Sequence, residues 1–131
     1  MVNELLHREL TGEILKAFYI VYNKLGHGFL EKIYENALTI ELRNMGLTVE
    51  QQQPIKVYYD SIMIGDYFAD IVVNDAVILE LKAAEALNPA HDAQLGNYLK
   101  ATNIEVGILL NFGVKPEFRR RVFTNVMKKR R

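Results

Sequence analysis

Three residues have types and a spacing that could do chemistry together: Asp70, Glu80 and Lys82. Glu80-Leu81-Lys82 closes an apolar run, Val77-Ile78-Leu79-Glu80-Leu81, that reads as a strand buried on both faces. Residues two apart on a strand point the same way, so Glu80 and Lys82 project together. Asp70 interrupts a second apolar run, Phe68-Ala69-Asp70-Ile71-Val72-Val73. Charges in such places are costly unless they are paired or bound to a cation. Asp70 and Glu80 lie five residues either side of Asp75, so a hairpin centred there sets them opposite each other on one face. A two-residue turn at Asn74-Asp75 would put them on opposite faces, so an odd-length turn or a bulge is expected. Two adjacent carboxylates repel unless one holds a proton or a divalent cation sits between them. Mg²⁺ accepts such a set, with Mn²⁺ as a substitute, and keeps several waters. It acidifies bound water and offsets charge on a phosphate, and a lysine beside it adds a compact positive point. The chemistry expected of such a patch would be metal-assisted phosphodiester hydrolysis. The alternative is an Asp70–Lys82 salt bridge with Glu80 at a solvated strand end, because Glu-x-Lys by itself is a common tripeptide.

The elements that must hold these residues are legible in periodicity. Ile14, Phe18, Val21 and Leu25 recur at helical spacing and predict a helix over 5–24. Lys24-Leu25-Gly26-His27-Gly28 reads as a turn. A second helix follows, with Leu30, Ile33, Tyr34, Ala37, Leu38, Leu42 and Met45 on its apolar side and Gly46 as its left-handed cap. Alternation then predicts strands over 47–53, 55–59, 62–73 and 76–82, with breaks at Pro54, Asp60-Ser61 and Asn74-Asp75. Asn88-Pro89 opens a helix running to about Ala101. Val106 to Leu110 reads as another buried strand. The rest, with Phe118, Val122, Phe123 and Val126, fits helix or strand. The order α-α-β-β-β-β-α-β predicts a mixed α/β (α+β) domain spanning 1–131, a central mixed β-sheet flanked by helices.

Composition removes several classes. The 131 residues include no cysteine, so disulfides and thiolate metal sites are excluded. The N-terminus does not read as a signal peptide, and no stretch is apolar enough to span a membrane, which points to a cytoplasmic protein with no membrane partner. There is no G-x-x-x-x-G-K-[ST] loop. Ser61, the only serine, sits in a turn without G-x-S-x-G, which argues against a serine hydrolase. The net charge is zero, yet residues 115–131 hold eight Lys or Arg against Glu117 alone, a local net +7. Such a basic end, with Arg119, Arg120 and Arg121 at its centre, can attract a phosphate backbone.

Asp70 followed by Glu80-x-Lys82 resembles the core of the PD-(D/E)xK nuclease superfamily, although Ala69 stands where the name has proline. Gly65 before Asp70 and Gln94-Leu95-Gly96-Asn97-Tyr98 after Lys82 follow the order of RecB-like nuclease domains. Gly28-Phe29-Leu30-Glu31-Lys32-Ile33-Tyr34 reads G-x-x-E-x-x-Y, and the chain is similar to the small GxxExxY family of that superfamily, with His27 in place of an expected proline. The likeness runs through Ile64-Gly65-Asp66-Tyr67, His91-x-x-Gln94 and Leu110-Asn111-Phe112-Gly113, and covers about residues 10–123.

The resemblance implies a restriction-endonuclease-like fold and roles for particular residues. Asp70 and Glu80 become metal ligands, with the Leu81 carbonyl as an extra one, and Lys82 the catalytic lysine. Glu31 becomes the acidic ligand from an early helix. Gln94 and Tyr98, four apart on one helix face, would orient Lys82 or a phosphate. Tyr34 and His91 are accessory candidates, Tyr34 being better explained as a core aromatic. The implied substrate is nucleic acid, DNA in the first place. A chain this short would read its substrate through its basic end, a second copy in a homodimer, or an unidentified protein partner. A catalytically silent nucleic-acid-binding or assembly module is the competing reading, and the intact Asp70, Glu80 and Lys82 set favours the enzyme.

Overall fold

A computed structural model describes residues 6–128. Leu5, Lys129, Arg130 and Arg131, which the sequence places in the first helix and the basic end, lie outside the described residues. Two helices come first, α1 (Arg8–Leu25) and α2 (Glu31–Asn44). Three strands follow, β1 (Val49–Tyr59), β2 (Ile62–Val73) and β3 (Val77–Lys82), then α3 (Pro89–Ala101), β4 (Val106–Phe112), β5 (Pro116–Val122) and a short 3₁₀ turn, Asn125–Met127. The strands form one sheet in the order β1-β2-β3-β4-β5. All neighbours are antiparallel except β3 and β4, which run parallel because α3 carries the chain across between them. The fold is therefore a five-stranded mixed sheet flanked by helices, as expected. Among the described residues no helix is long and apolar enough to cross a membrane.

Each face of the sheet has its own core. Ile14, Phe18 and Val21 of α1 and Leu38 and Leu42 of α2 pack on Ile71, Val73, Leu79, Leu81, Ile108 and Leu110. On the other face Leu95 and Leu99 of α3 pack on Val72, Ile78 and Leu109. β3 and β4 are buried on both faces, which is why both read as near-continuous apolar runs. Asn88 caps α3 by accepting from the Ala90 and His91 amides, and Pro89 fills the first helical turn, where no amide is needed. Gly46 closes α2 with φ 83, the left-handed conformation that glycine adopts without a Cβ penalty.

Three expectations change. Pro54 does not divide a strand: β1 runs through it, leaving three strands before α3 rather than four. β1 is an edge of the sheet, where a missing amide need not break a ladder. Leu30 and Ile33, assigned to the apolar side of α2, are exposed, because Tyr34, Leu38 and Leu42 define the face turned to the sheet. The ambiguous C-terminal stretch is strand β5, antiparallel to β4 over Pro116–Val122.

The sheet forks at the residues of interest. β2 and β3 pair at Val73 with Val77, Val72 with Ile78 and Ile71 with Leu79, the register of an odd, three-residue turn through Asn74, Asp75 and Ala76. Beyond Ile71 and Leu79 the backbone ladder stops. β3 continues against β4 through Glu80, Leu81 and Lys82, while β2 continues against β1. Alternation along β2 also fails there: Val72 and Ala69, three apart, both join the α3-side core. Gln52 lies across from Asp70 between the paired residues Gln51 and Gln53, and takes φ 54, a left-handed conformation unusual in a strand. The distal halves of β1 and β2 thereby leave the sheet as an arm beside α3.

Candidate active site

The fork is filled by side chains that take over from the missing ladder. The Asp70 amide donates to Glu80 Oε2 at 2.9 Å, and the Leu81 amide donates to Asp70 Oδ2 at 2.8 Å. Each carboxylate thus crosses to the other strand's backbone and stands where a carbonyl would otherwise accept. Asp70 and Glu80 are brought together, as the hairpin register requires. Glu80 is only 2 % exposed. Burial, and then the Asp70 carboxylate beside it, push its carboxyl up to about 8. Asp70 is also raised, first by burial and then by the Glu35 charge, against the Leu81 amide and Lys82, which lower it.

Lys82 leaves the same strand end. Among the described residues it makes no ion pair, and its ammonium donates to Gln94 Oε1 at 3.0 Å. The alternative of a plain Asp70–Lys82 salt bridge is therefore not what the strands build. Gln94 Nε2 in turn donates to the Tyr98 hydroxyl at 3.0 Å. That bond turns the amide so that its oxygen faces the lysine. Burial, then the Glu80 charge, raise the Tyr98 phenol, keeping it protonated.

α2 contributes two acids. Glu31, in its first turn, is exposed and lines an open cleft of about 480 Å³ between the α1–α2 turn, the segment after β3 and the segment after β4. Its charge raises both Asp70 and Glu80. Glu35, one turn on, is buried and is the acid the sequence reading missed. It accepts from Gln51 Nε2 at 2.7 Å, Gln52 Nε2 at 2.9 Å and Lys32 Nζ at 2.9 Å. The signal was present: Glu35 shares a helical face with Leu38 and Leu42, an acid in an apolar stripe.

Two accessory candidates are engaged elsewhere. Tyr34 is fully buried; its hydroxyl donates to the Gly26 carbonyl at 2.7 Å and accepts from the Phe29 amide at 3.2 Å, while its ring stacks on Phe112 at 4.2 Å. It closes the turn that presents Glu31, and Gly28, with φ 109, makes that turn accessible. His91 Nδ1 accepts from the Asn88 amide at 3.2 Å and completes the α3 cap. The three arginines do not form one patch, because strand alternation divides them. Arg119 pairs with the Asp92 carboxylate and Arg121 donates to the Asp92 carbonyl, both on α3, whereas Arg120 reaches the Leu6 carbonyl on the other face.

A cation fits this donor set. Two hard oxygen donors, the buried Glu80 and the half-buried Asp70, reach across the same fork, and burial together with the Asp70 charge raises Glu80 to about 8. Among the described residues no three His, Asp or Glu side chains form a complete cage, so the side-chain share is a pair of carboxylates, the sparse set Mg²⁺ accepts.

The fork therefore brings together two crossed carboxylates, a lysine on the adjoining strand end and a helix behind it. A family model described as the PD-(D/E)XK nuclease superfamily matches residues 8–122, and the chain belongs to that superfamily. No curated protein gives a match. The solved structure of SSO0001 is similar in fold, with a TM-score of 0.53 at 18% identity over 71% of this chain. The match spans 50% of the SSO0001 chain, so this chain corresponds to about half of that protein's length.

Proposed function

We propose that this chain is a Mg²⁺-dependent nuclease that hydrolyses phosphodiester bonds in nucleic acid, DNA in the first place, with Mn²⁺ able to replace Mg²⁺. The observation that carries the reading is the crossed pair in the fork: the buried Glu80 and the half-buried Asp70 held by each other's strands, with Lys82 on the same strand end as Glu80. Asp70, Glu80 and the Leu81 carbonyl would hold the cation, with Glu31 reaching in from the mouth of the cleft and Glu35 behind it. When bound, the cation acidifies water and offsets the charge that builds on the phosphate. Lys82 supplies a second positive point for the reacting phosphate. Gln94 fixes the direction of the Lys82 ammonium, and Tyr98 fixes Gln94. The finer membership, in the GxxExxY group, is supported by the way Gly28, Glu31 and Tyr34 act as one unit: a turn, the acid it presents and the hydroxyl that closes it. A cytoplasmic location, and a second copy or an unidentified protein partner for duplex substrates, belong to the same proposal.

The test is a titration of Mg²⁺ and Mn²⁺ into wild type and Asp70→Ala. Thermal stability is read alongside cleavage of single- and double-stranded DNA and RNA. Saturation at a hundredfold above Kd adds about 2.7 kcal/mol to the folded state. Both that gain and cleavage should vanish in the variant. If millimolar metal leaves wild type unchanged, the catalytic reading fails and the fold serves as a binding or assembly module.

A further inference from the structure

Glu35 is 4% exposed, on the face of α2 that also carries Leu38 and Leu42. A carboxylate buried there is costly unless donors surround it. Lys32 reaches it along the helix, whereas Gln51 and Gln52 reach it from β1. Gln51 has other ties: it pairs with Ile71 in the ladder, and its amide also donates to Asn36 Oδ1 at 2.9 Å. Gln52 is placed differently. The β1–β2 register skips it, its backbone takes φ 54, and its side chain crosses to Glu35 Oε1 at 2.9 Å. A glutamine in the left-handed region is strained, and such a conformation persists only where its surroundings hold it. Gln52 lies across from Asp70, where the β2–β3 ladder gives way to the crossed carboxylates.

We infer that Glu35 is a positioning residue: by gripping the Gln52 amide it locks the left-handed step in β1 that opens the fork, and so sets where Asp70 stands against Glu80. The inference goes beyond the nuclease reading and rests on it only for the cation. Stability alone would not call for an acid at this position. Arg43, which donates to the Val49 carbonyl at 2.8 Å, and Asn36 already tie α2 to β1, and a leucine would fill the apolar stripe without the cost of desolvation. An acid acting through its charge alone would need no grip on a strand.

The experiment follows hydrogen exchange in EDTA at the Asp70 and Leu81 amides, which the crossed carboxylates accept from, relative to the amides of β4. Mn²⁺ affinity is measured by calorimetry on the same proteins. Wild type, Glu35→Leu, Gln52→Ala, Gln52→Gly and the double variant Glu35→Leu/Gln52→Gly are compared. Alanine at 52 loses the grip and keeps the Cβ that disfavours positive φ, whereas glycine loses the grip and removes that penalty. Positioning predicts that Glu35→Leu and Gln52→Ala each speed exchange at both amides about five- to a hundredfold. Both should weaken Mn²⁺ about tenfold or more, the usual effect of losing an outer partner of a metal ligand. Gln52→Gly should stay near wild type, and Glu35→Leu should do less harm in that background. Gln52→Ala, at an exposed position, serves if Glu35→Leu does not fold. The inference is overturned if the two amides exchange no faster than β4 in either variant, or if glycine and alanine at 52 behave alike. It is also overturned if Gln52→Gly leaves the full effect of Glu35→Leu in place. The two readings fail separately. Amides that respond as expected in a protein that binds no Mn²⁺ would end the metal reading alone, whereas Mn²⁺ binding with both amides indifferent to every variant would end the positioning alone.

Discussion

A carboxyl group that has lost nearly all of its water and faces a second carboxylate keeps its proton well above the usual range. Glu80 is in that position, raised from 4.5 to about 8. In the unfolded chain it ionises near its ordinary value. The stability it contributes is therefore fully present below about pH 4.5 and is lost as pH rises through about 8, with Asp70 acting in the same direction. Urea unfolding in EDTA at pH 5, 7 and 9 should show a decline on the order of a few kcal/mol across that window. Glu80→Gln should flatten it and be the more stable protein at pH 9. Stability that rises with pH, or an equal decline in the variant, would remove the account of a protonated buried Glu80. At this scale the convergence of Asp70, Glu80 and Lys82 was legible because strand periods and the hairpin register decide which side chains share a face, whereas Gln94 and Tyr98 stood out only through the resemblance to RecB-like nuclease motifs. Glu35 was not singled out because its importance depends on Gln51 and Gln52 reaching it from β1, a contact between distant parts of the chain.

Strands and helices position these residues through a few contacts at their ends. Asn111 in β4 is completely buried; its side chain accepts from the Ala84 amide at 2.9 Å and donates to the Ala84 carbonyl at 3.0 Å. It thereby clasps the segment that leaves β3 directly after Lys82. A Cβ on Gly113 would overlap the Ala84 carbonyl oxygen, so glycine there permits the same approach. This gives the Leu110-Asn111-Phe112-Gly113 motif a mechanical meaning. Asn111→Ala leaves two backbone groups without their partner and should cost about 2–3 kcal/mol. Gly113→Ala should cost about 1–3 kcal/mol through overpacking. Both variants should lose turnover, as Lys82 loses its fixed exit, while metal still raises their melting temperature through Asp70 and Glu80. Loss of the metal response together with turnover would show that the clasp holds the whole fork rather than the lysine. The elements were legible wherever one periodicity covered a complete strand or helix. The fork itself was not, because it depends on the left-handed turn of the backbone at Gln52, a glutamine in a polar run that carries no turn signal.

Across the whole molecule, the linear charge run suggested a basic handle, and the fold dispersed it. β5 alternates, so two of its central arginines grip α3 and the third turns to the α1 side, and they act first as ties between layers. Those ties secure a sheet whose centre and margin are unlike. β3 and β4 are covered on both faces by separate cores, whereas the arm beyond Pro54 leaves Tyr58, Tyr59, Ile62, Met63, Ile64, Tyr67 and Phe68 about half exposed or more. An opening that frees the arm therefore uncovers little that is not already in water, while exposing β3 dismantles both cores at once. Amide hydrogen exchange should resolve the difference. Amides of Val77–Lys82 and Val106–Phe112 should exchange only through global unfolding, and those of residues 57–66 roughly a hundredfold faster or more. Equal protection of arm and centre would instead make the arm a rigid extension of the sheet.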